Sequence, residues 1–286
     1  MADPNALTAL GVEPRPGQVS STAAMTEAAR AVRRTAGNAA MAKVLHRGGG
    51  APHVQRMPSR ERRPVYGRGG PLHAVDSDGN EYRFDHADVR AKALRDASGM
   101  LIGISFPTQR GDIEKVTAWA KAPNRTSDRE FYTVNHDGVV HDAGFSVGEA
   151  HPAPWDRRPL YVHAHAGIHT FRIPVDTGDG VRVLLVDGET FAKILRHHPG
   201  FREASANTPG RHGLLMACSA GHPDATAALD MAASMHRKGW NRTWHAPTGF
   251  GVRMHQDGSD TSRYGVTQSW DFQGNEVSPG FVSYVP

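Results

Sequence analysis

The chemistry this sequence could perform is concentrated in one thiol and two nearby histidines, each at the end of an apolar run. Cys218, the only cysteine, falls in Arg211-His-Gly-Leu-Leu-Met-Ala-Cys-Ser-Ala-Gly221. About 53 residues earlier, Leu160-Tyr-Val-His-Ala-His-Ala-Gly167 ends on His163 and His165. A lone cysteine with an upstream histidine is a pattern for a thiolate nucleophile and its proton partner. A free thiol, with a pKa of about 8.5, is only a few per cent ionised at neutral pH, so the nucleophile needs a neighbour that takes its proton. His165 is expected to do this. The small residues around both positions let a substrate backbone approach, and they leave the amides of Cys218 and Gly167 to polarise a carbonyl, a contact worth about 3 kcal/mol. The competing reading is a cysteine that serves as a small buried hydrophobe at the end of a strand.

His163 and His165 alternate along one strand and share a face, with His163 a supporting candidate. The same H-x-H spacing suits a metal, but no H-E-x-x-H or carboxylate-rich motif supplies a third ligand. No metal or other cofactor is therefore expected. Seventeen histidines make chance pairs common, and His197-His198, His212, His236 and His255 are read as surface or supporting residues.

These residues need strands to present them. Alternation and turn residues predict strands at 82–84, 101–106, 131–134, 160–165, 213–217 and 242–246, and a hairpin over 173–186 around Thr177-Gly-Asp-Gly180. Helical spacing and stop signals predict helices over 87–98, 111–122, 189–198 and 225–238, the third stopped by Pro199-Gly200. Strands alternating with helices imply a mostly parallel α/β sheet with reactive groups at the carboxyl ends of its strands, where His165 and Cys218 would sit.

The chain has 286 residues, enough for one core of about 200 residues plus an extension. Residues 1–70 hold eleven Lys and Arg against four Asp and Glu, whereas the remainder holds 22 against 25, so the basic excess lies in the extension. That extension is expected to be mostly disordered, with a short alanine-rich helix over about 20–45 and a flexible Gly/Pro/Arg linker over 48–70. It has no aromatic residue before Tyr66, so base stacking finds no support and nucleic acid is not an expected partner. No apolar stretch reaches the roughly 18 residues needed to span a bilayer. The N-terminus lacks a secretory signal, so synthesis in the cytoplasm is expected, and any export would take another route.

The stretch from about Ser105 to Gly249 resembles the bacterial lonely Cys domain of toxin-like effectors, itself similar to caspase-like peptidases of the caspase, gingipain and self-processing toxin group. The resemblance rests on Ile104-Ser-Phe-Pro-Thr, Arg158-Pro-Leu-Tyr-Val-His-Ala-His-Ala-Gly, Val186-Asp-Gly-Glu-Thr-Phe-Ala-Lys-Ile-Leu and Leu214-Leu-Met-Ala-Cys-Ser-Ala-Gly. It implies a caspase-like three-layer α/β/α sandwich over 71–286. In it Cys218 is the nucleophile, His165 moves the proton, and the oxyanion site lies at the amide of Cys218 and the turn after His165. That group commonly has His-Gly at the base; Ala166 intervenes here, which leaves the choice between His163 and His165 open, with His165 preferred as nearer the turn. By the same resemblance Trp244 and His245 border a specificity pocket, against the plain alternative of core packing.

A second segment, Thr35-Ala-Gly-Asn-Ala-Ala-Met-Ala-Lys-Val-Leu-His-Arg47, resembles a short helix near the start of cargo proteins of bacterial contractile injection systems. It implies delivery as an effector, with the injection particle as partner. The expectation is a cysteine endopeptidase acting on polypeptides through a thioester and cutting its own linker. The alternatives are a non-catalytic binding module docking through the N-terminal helix and a metal-dependent hydrolase using the H-x-H pair.

Overall fold

In the computed structural model the described residues are 55–56, 70–109, 111–136, 145–155, 158–208, 210–255 and 259–286. The chain divides after Pro52 into two units, and the second, His53–Pro286, holds all of them. The expected helix over 20–45 lies outside the described residues, as does the 48–70 linker apart from Gln55, Arg56 and Gly70.

In chain order the strands begin with β1 (Gln55–Arg56), β2 (Leu72–Val75), β3 (Glu81–Phe84), β4 (Lys92–Arg95) and β5 (Leu101–Phe106). Helix α1 (Asp112–Lys121) precedes β6 (Asn124–Arg125), β7 (Glu130–His136), β8 (Phe145–Pro152), β9 (Leu160–Ala166), β10 (Phe171–Asp176) and β11 (Val181–Val186). Helices α2 (Gly188–His197) and α3 (Pro199–Asn207) lead to β12 (His212–Met216), and α4 (Ala227–His236) leads to β13 (Thr243–Pro247). The chain then runs through β14 (Gly251–His255), β15 (Thr261–Thr267), β16 (Ser269–Trp270), β17 (Glu276–Val277) and β18 (Phe281–Tyr284).

Among the described residues the main sheet has eleven strands. At its centre β5, β9, β12 and β13 run parallel, with β9 between β5 and β12. The expectation of a mostly parallel sheet holds for these four; the flanks, through β4, β10 and β18, are antiparallel, so the sheet as a whole is mixed. Side chains alternate between its faces. Leu160, Val162 and Ala164 of β9 pack with Phe191, Leu195, Phe201 and Met231 of α2, α3 and α4. Tyr161 points the other way, into a core with Val116 and Trp119 of α1 and with Tyr264 and Val266 of β15. Three layers result: helices on one face, and on the other a helix beside a second sheet of five strands. Apolar burial at roughly 25 cal/mol per Å² drives both packings. Among the described residues no helix is long and apolar enough to cross a membrane.

One element expectation is corrected, and one helix was not expected. Residues 87–98 are not a helix: Lys92–Arg95 pairs antiparallel with β5, and a turn over Asp96–Gly99 joins them. The Asp96 carboxylate accepts from the amides of Ser98 (2.9 Å) and Met100 (3.0 Å), and Gly99 takes φ 83°. This Asx-type turn and the ladder outweigh local helix propensity. Pro199-Gly200 does end α2, yet α3 starts at once, because proline suits a first helical turn and His198 Nδ1 accepts from the amide of Gly200 (3.1 Å). The other expected strands and helices in the described residues stand within a few residues of their predicted bounds.

Candidate active site

The parallel pairing of β9 with β12 places Met216 beside His163. Cys218 lies two residues past the last pair of that ladder on the β12 side, as His165 does on the β9 side, so both stand toward the carboxyl ends of neighbouring strands. Cys218 lies just beyond β12 in a turn whose next residue, Ser219, has φ 52°, the one non-glycine positive φ among the described residues. Such a conformation costs of order 1–3 kcal/mol and persists only where its surroundings enforce it. Here the amide of Ser219 donates to Gly249 O (2.8 Å) and that of Gly221 to Pro247 O (2.9 Å), pinning the turn to the segment that links β13 to β14. Gly221 lies so close to Ala246 O that a side chain would collide with it.

The two histidines of β9 share a face but not a role. His163 is buried, its Nδ1 2.7 Å from Ser105 Oγ on β5. Burial, reinforced by the Arg253 cation, pushes it well below the ordinary histidine value, so it stays neutral. His165 is partly exposed, and its Nε2 is 2.8 Å from Oδ2 of Asp112, the first residue of α1. The sequence had offered both histidines as the proton carrier. The structure makes His163 a buried partner of Ser105 and leaves His165 facing solvent.

Around the sulfur the electrostatics are divided. Burial pushes the Cys218 thiol above its ordinary value; the amides of Gly251 and of Cys218 itself, together with the cations Arg253 and Arg172, pull the other way. Arg172 lies opposite His165 across the β9–β10 ladder and is exposed. Arg253 lies opposite Tyr264 across β14 and β15, with Nη2 4.0 Å from Asp112 Oδ1. Arg253 Nε and Tyr264 Oη are both buried without a hydrogen-bond partner. Gly251 is required where it stands, since a side chain there would meet the Tyr264 hydroxyl. Burial thus favours the neutral thiol at Cys218 over a standing thiolate.

No family model, curated protein or solved structure matches the chain. The assignment of roles therefore rests on geometry.

Two sequence expectations fail on that geometry. The amide of Gly167 is committed to Thr170 O (2.9 Å), closing the turn between β9 and β10, and cannot serve an oxyanion. Trp244 and His245 line no open pocket: they are 0% and 1% exposed. Trp244 packs with Phe201, and His245 is hydrogen-bonded to His212 (2.9 Å) and Ser283 (2.8 Å), because β13 is covered on both faces. The H-x-H pair finds no third ligand, since among the described residues no three His, Cys, Asp or Glu side chains are grouped to hold a metal.

Sequence reasoning missed Asp112, Ser105, Arg172, Gly251, Arg253 and Tyr264. Asp112 carried a partial signal: it stands at the start of the helix expected over 111–122, after the strand expected at 101–106. Arg253 and Tyr264 carried none, because β14 and β15 reach the site only through the second sheet.

Proposed function

We propose that this chain is a cysteine endopeptidase of caspase-like type, in which Cys218 attacks and His165 carries the proton. One observation supports the reading above the rest: the adjacency of β9 and β12, which brings a partly exposed imidazole and a strained cysteine turn to one end of one sheet. In the reaction the Cys218 S–H proton passes to His165 as sulfur bonds to the scissile carbonyl carbon and the carbonyl π pair moves onto oxygen. The oxyanion collapses, the C–N bond breaks, and His165 returns the proton to the leaving amine. Water then attacks the thioester and gives a proton to His165, the C–S bond breaks, and His165 passes that proton to the departing sulfur, restoring the thiol. With Gly167 committed elsewhere, the amides near the sulfur that can face the oxyanion are those of Cys218 and Gly251.

The role as a delivered toxin or effector rests on the sequence of Thr35–Arg47 and on the lonely Cys resemblance. In this reading the polypeptide substrate includes the chain's own Arg-rich linker over 48–70. A second reading, a binding module without turnover, draws on the raised thiol pKa and on the absence of a hydrogen bond between Cys218 and His165 among the described residues.

The test is labelling of the purified full chain with a peptide carrying a thiol-directed electrophile, beside mass spectrometry of stored protein. Wild type should label at Cys218 and cleave members of a peptide library; Cys218→Ala should do neither. Turnover retained by Cys218→Ala would reject the scheme. Unlabelled, inactive wild type would favour the binding module.

A further inference from the structure

We propose that Asp112 is the positioning residue of this site, holding His165 as the tautomer protonated on Nε2 so that Nδ1 is the nitrogen that takes the Cys218 proton. The catalytic half of this inference rests on the peptidase reading above; the tautomer half does not.

The argument starts from the carboxylate. Asp112 is 5% exposed and opens α1 directly after Gly111, whose φ of 83° turns the chain into the helix. Its Oδ2 already accepts from the amides of Thr108 (3.2 Å) and Gln109 (2.9 Å), which fix that oxygen from the protein side. The third group on the same oxygen is His165 Nε2 at 2.8 Å. An oxygen that accepts from two amides can only accept from a ring nitrogen as well, so Nε2 carries the hydrogen and, in the neutral ring, Nδ1 carries the lone pair. Among the described residues no hydrogen bond engages Nδ1, and the side chain is 20% exposed. The basic nitrogen is therefore the free one.

The surroundings set the charge as well as the direction. Oδ1 of Asp112 lies 4.0 Å from Arg253 Nη2, the His163 ring lies 5.8 Å from the His165 ring, and Arg172 pairs with His165 across the β9–β10 ladder. A buried carboxylate needs a cation or N–H donors around it. Asp112 has both, and once Nδ1 has taken a proton the carboxylate faces an imidazolium through the same short bond. A residue needed only to start α1 would be satisfied by the two amides; the third bond, to a histidine 53 residues away in sequence, has no part in that task.

The experiment uses nitrogen-15 NMR of the full chain with labelled histidine, assigned by comparison with His165→Gln, beside steady-state cleavage of a library peptide. Wild type should show a pyrrole-type Nε2 and a pyridine-type Nδ1 for His165. In Asp112→Asn the side-chain oxygen stays with the two amides and with Nε2–H, so the tautomer should be kept while the negative charge that stabilises the imidazolium is lost. It should lower kcat about tenfold or more with KM within a few-fold. A pyridine-type Nε2 in wild type, or an Asp112→Asn protein with unchanged kcat, overturns the proposal. If the variant does not fold, the wild-type spectrum alone decides the tautomer. Wild type with the expected spectrum but no cleavage of any peptide would overturn the peptidase reading and leave the tautomer assignment standing.

Discussion

The carboxyl end of β9 and the middle of β13 each hold a histidine in a short side-chain hydrogen bond, and the two differ in what lies around them. His165 meets a carboxylate and solvent. His245 meets another imidazole and a hydroxyl in a region closed on all sides, between His212 and Ser283 and against Trp155. Burial, with a smaller push from His212, lowers His245 to about 4, so it stays neutral at physiological pH. The same residue type is thus a reachable base where its strand ends and a fixed packing element where its strand is covered. Position along the strand decides which: His165 lies past the stretch of β9 paired with β5 and β12, whereas His245 is paired with β12 on one side and β18 on the other.

The comparison can be broken by exchanging what each histidine loses. His165→Gln should lower kcat/KM at least about a thousandfold while the melting temperature moves by no more than a few degrees, read by peptide cleavage and thermal unfolding. If His245→Gln lowers kcat/KM by as much per folded molecule, the division between the two regions is wrong.

Acid sharpens it next. An unfolded His245 takes a proton near pH 6.5, whereas the folded one does so only near 4, so between those values the unfolded state binds more protons and stability falls as the pH falls. This one residue accounts for roughly 3 kcal/mol over that window. His163 acts in the same direction. Urea unfolding at a series of pH values should show the loss, and His245→Gln should flatten it. A slope unchanged in the variant would exclude His245 as its source.

The smallest expected effect concerns the pair beneath the site. Ser105→Ala leaves His163 Nδ1 without its partner and should cost about 1–3 kcal/mol of stability with kcat/KM within a few-fold of wild type. A thousandfold loss of activity without destabilisation would return His163 to the catalytic candidates. Alkylation of Cys218 by iodoacetamide offers a related check: with the thiol raised by burial, the rate at pH 7 should lie below that of a free cysteine and climb through alkaline pH.

Much of the central sheet was legible because its strands carry their own signals: apolar runs at 101–106, 160–165 and 213–217 bounded by glycine or small residues. The helix expected at 87–98 failed because Asp96 and Gly99 make a turn whose partner strand is not visible in a local window. The strands after Pro247 were not anticipated; β15 and β18 owe part of their pairing to β7 and β13, far away in sequence. In the candidate site, Cys218 and His165 were picked out by residue type and spacing, whereas residue type said nothing of the commitments of Gly167, Trp244 and His245. An amide's availability and a side chain's exposure depend on which chain segment lies across from it.

By itself the sequence determined the chemical inventory, one thiol and a histidine pair, and the strands that end in them, because residue type and alternation are local properties. Only the tertiary structure decided that His163 is sealed against Ser105, that His165 faces Asp112, and that Arg253 and Tyr264 reach the same corner. Those outcomes follow from registers and layer contacts between segments tens to more than a hundred residues apart, where burial and hydrogen-bond geometry, not composition, set what each group can do.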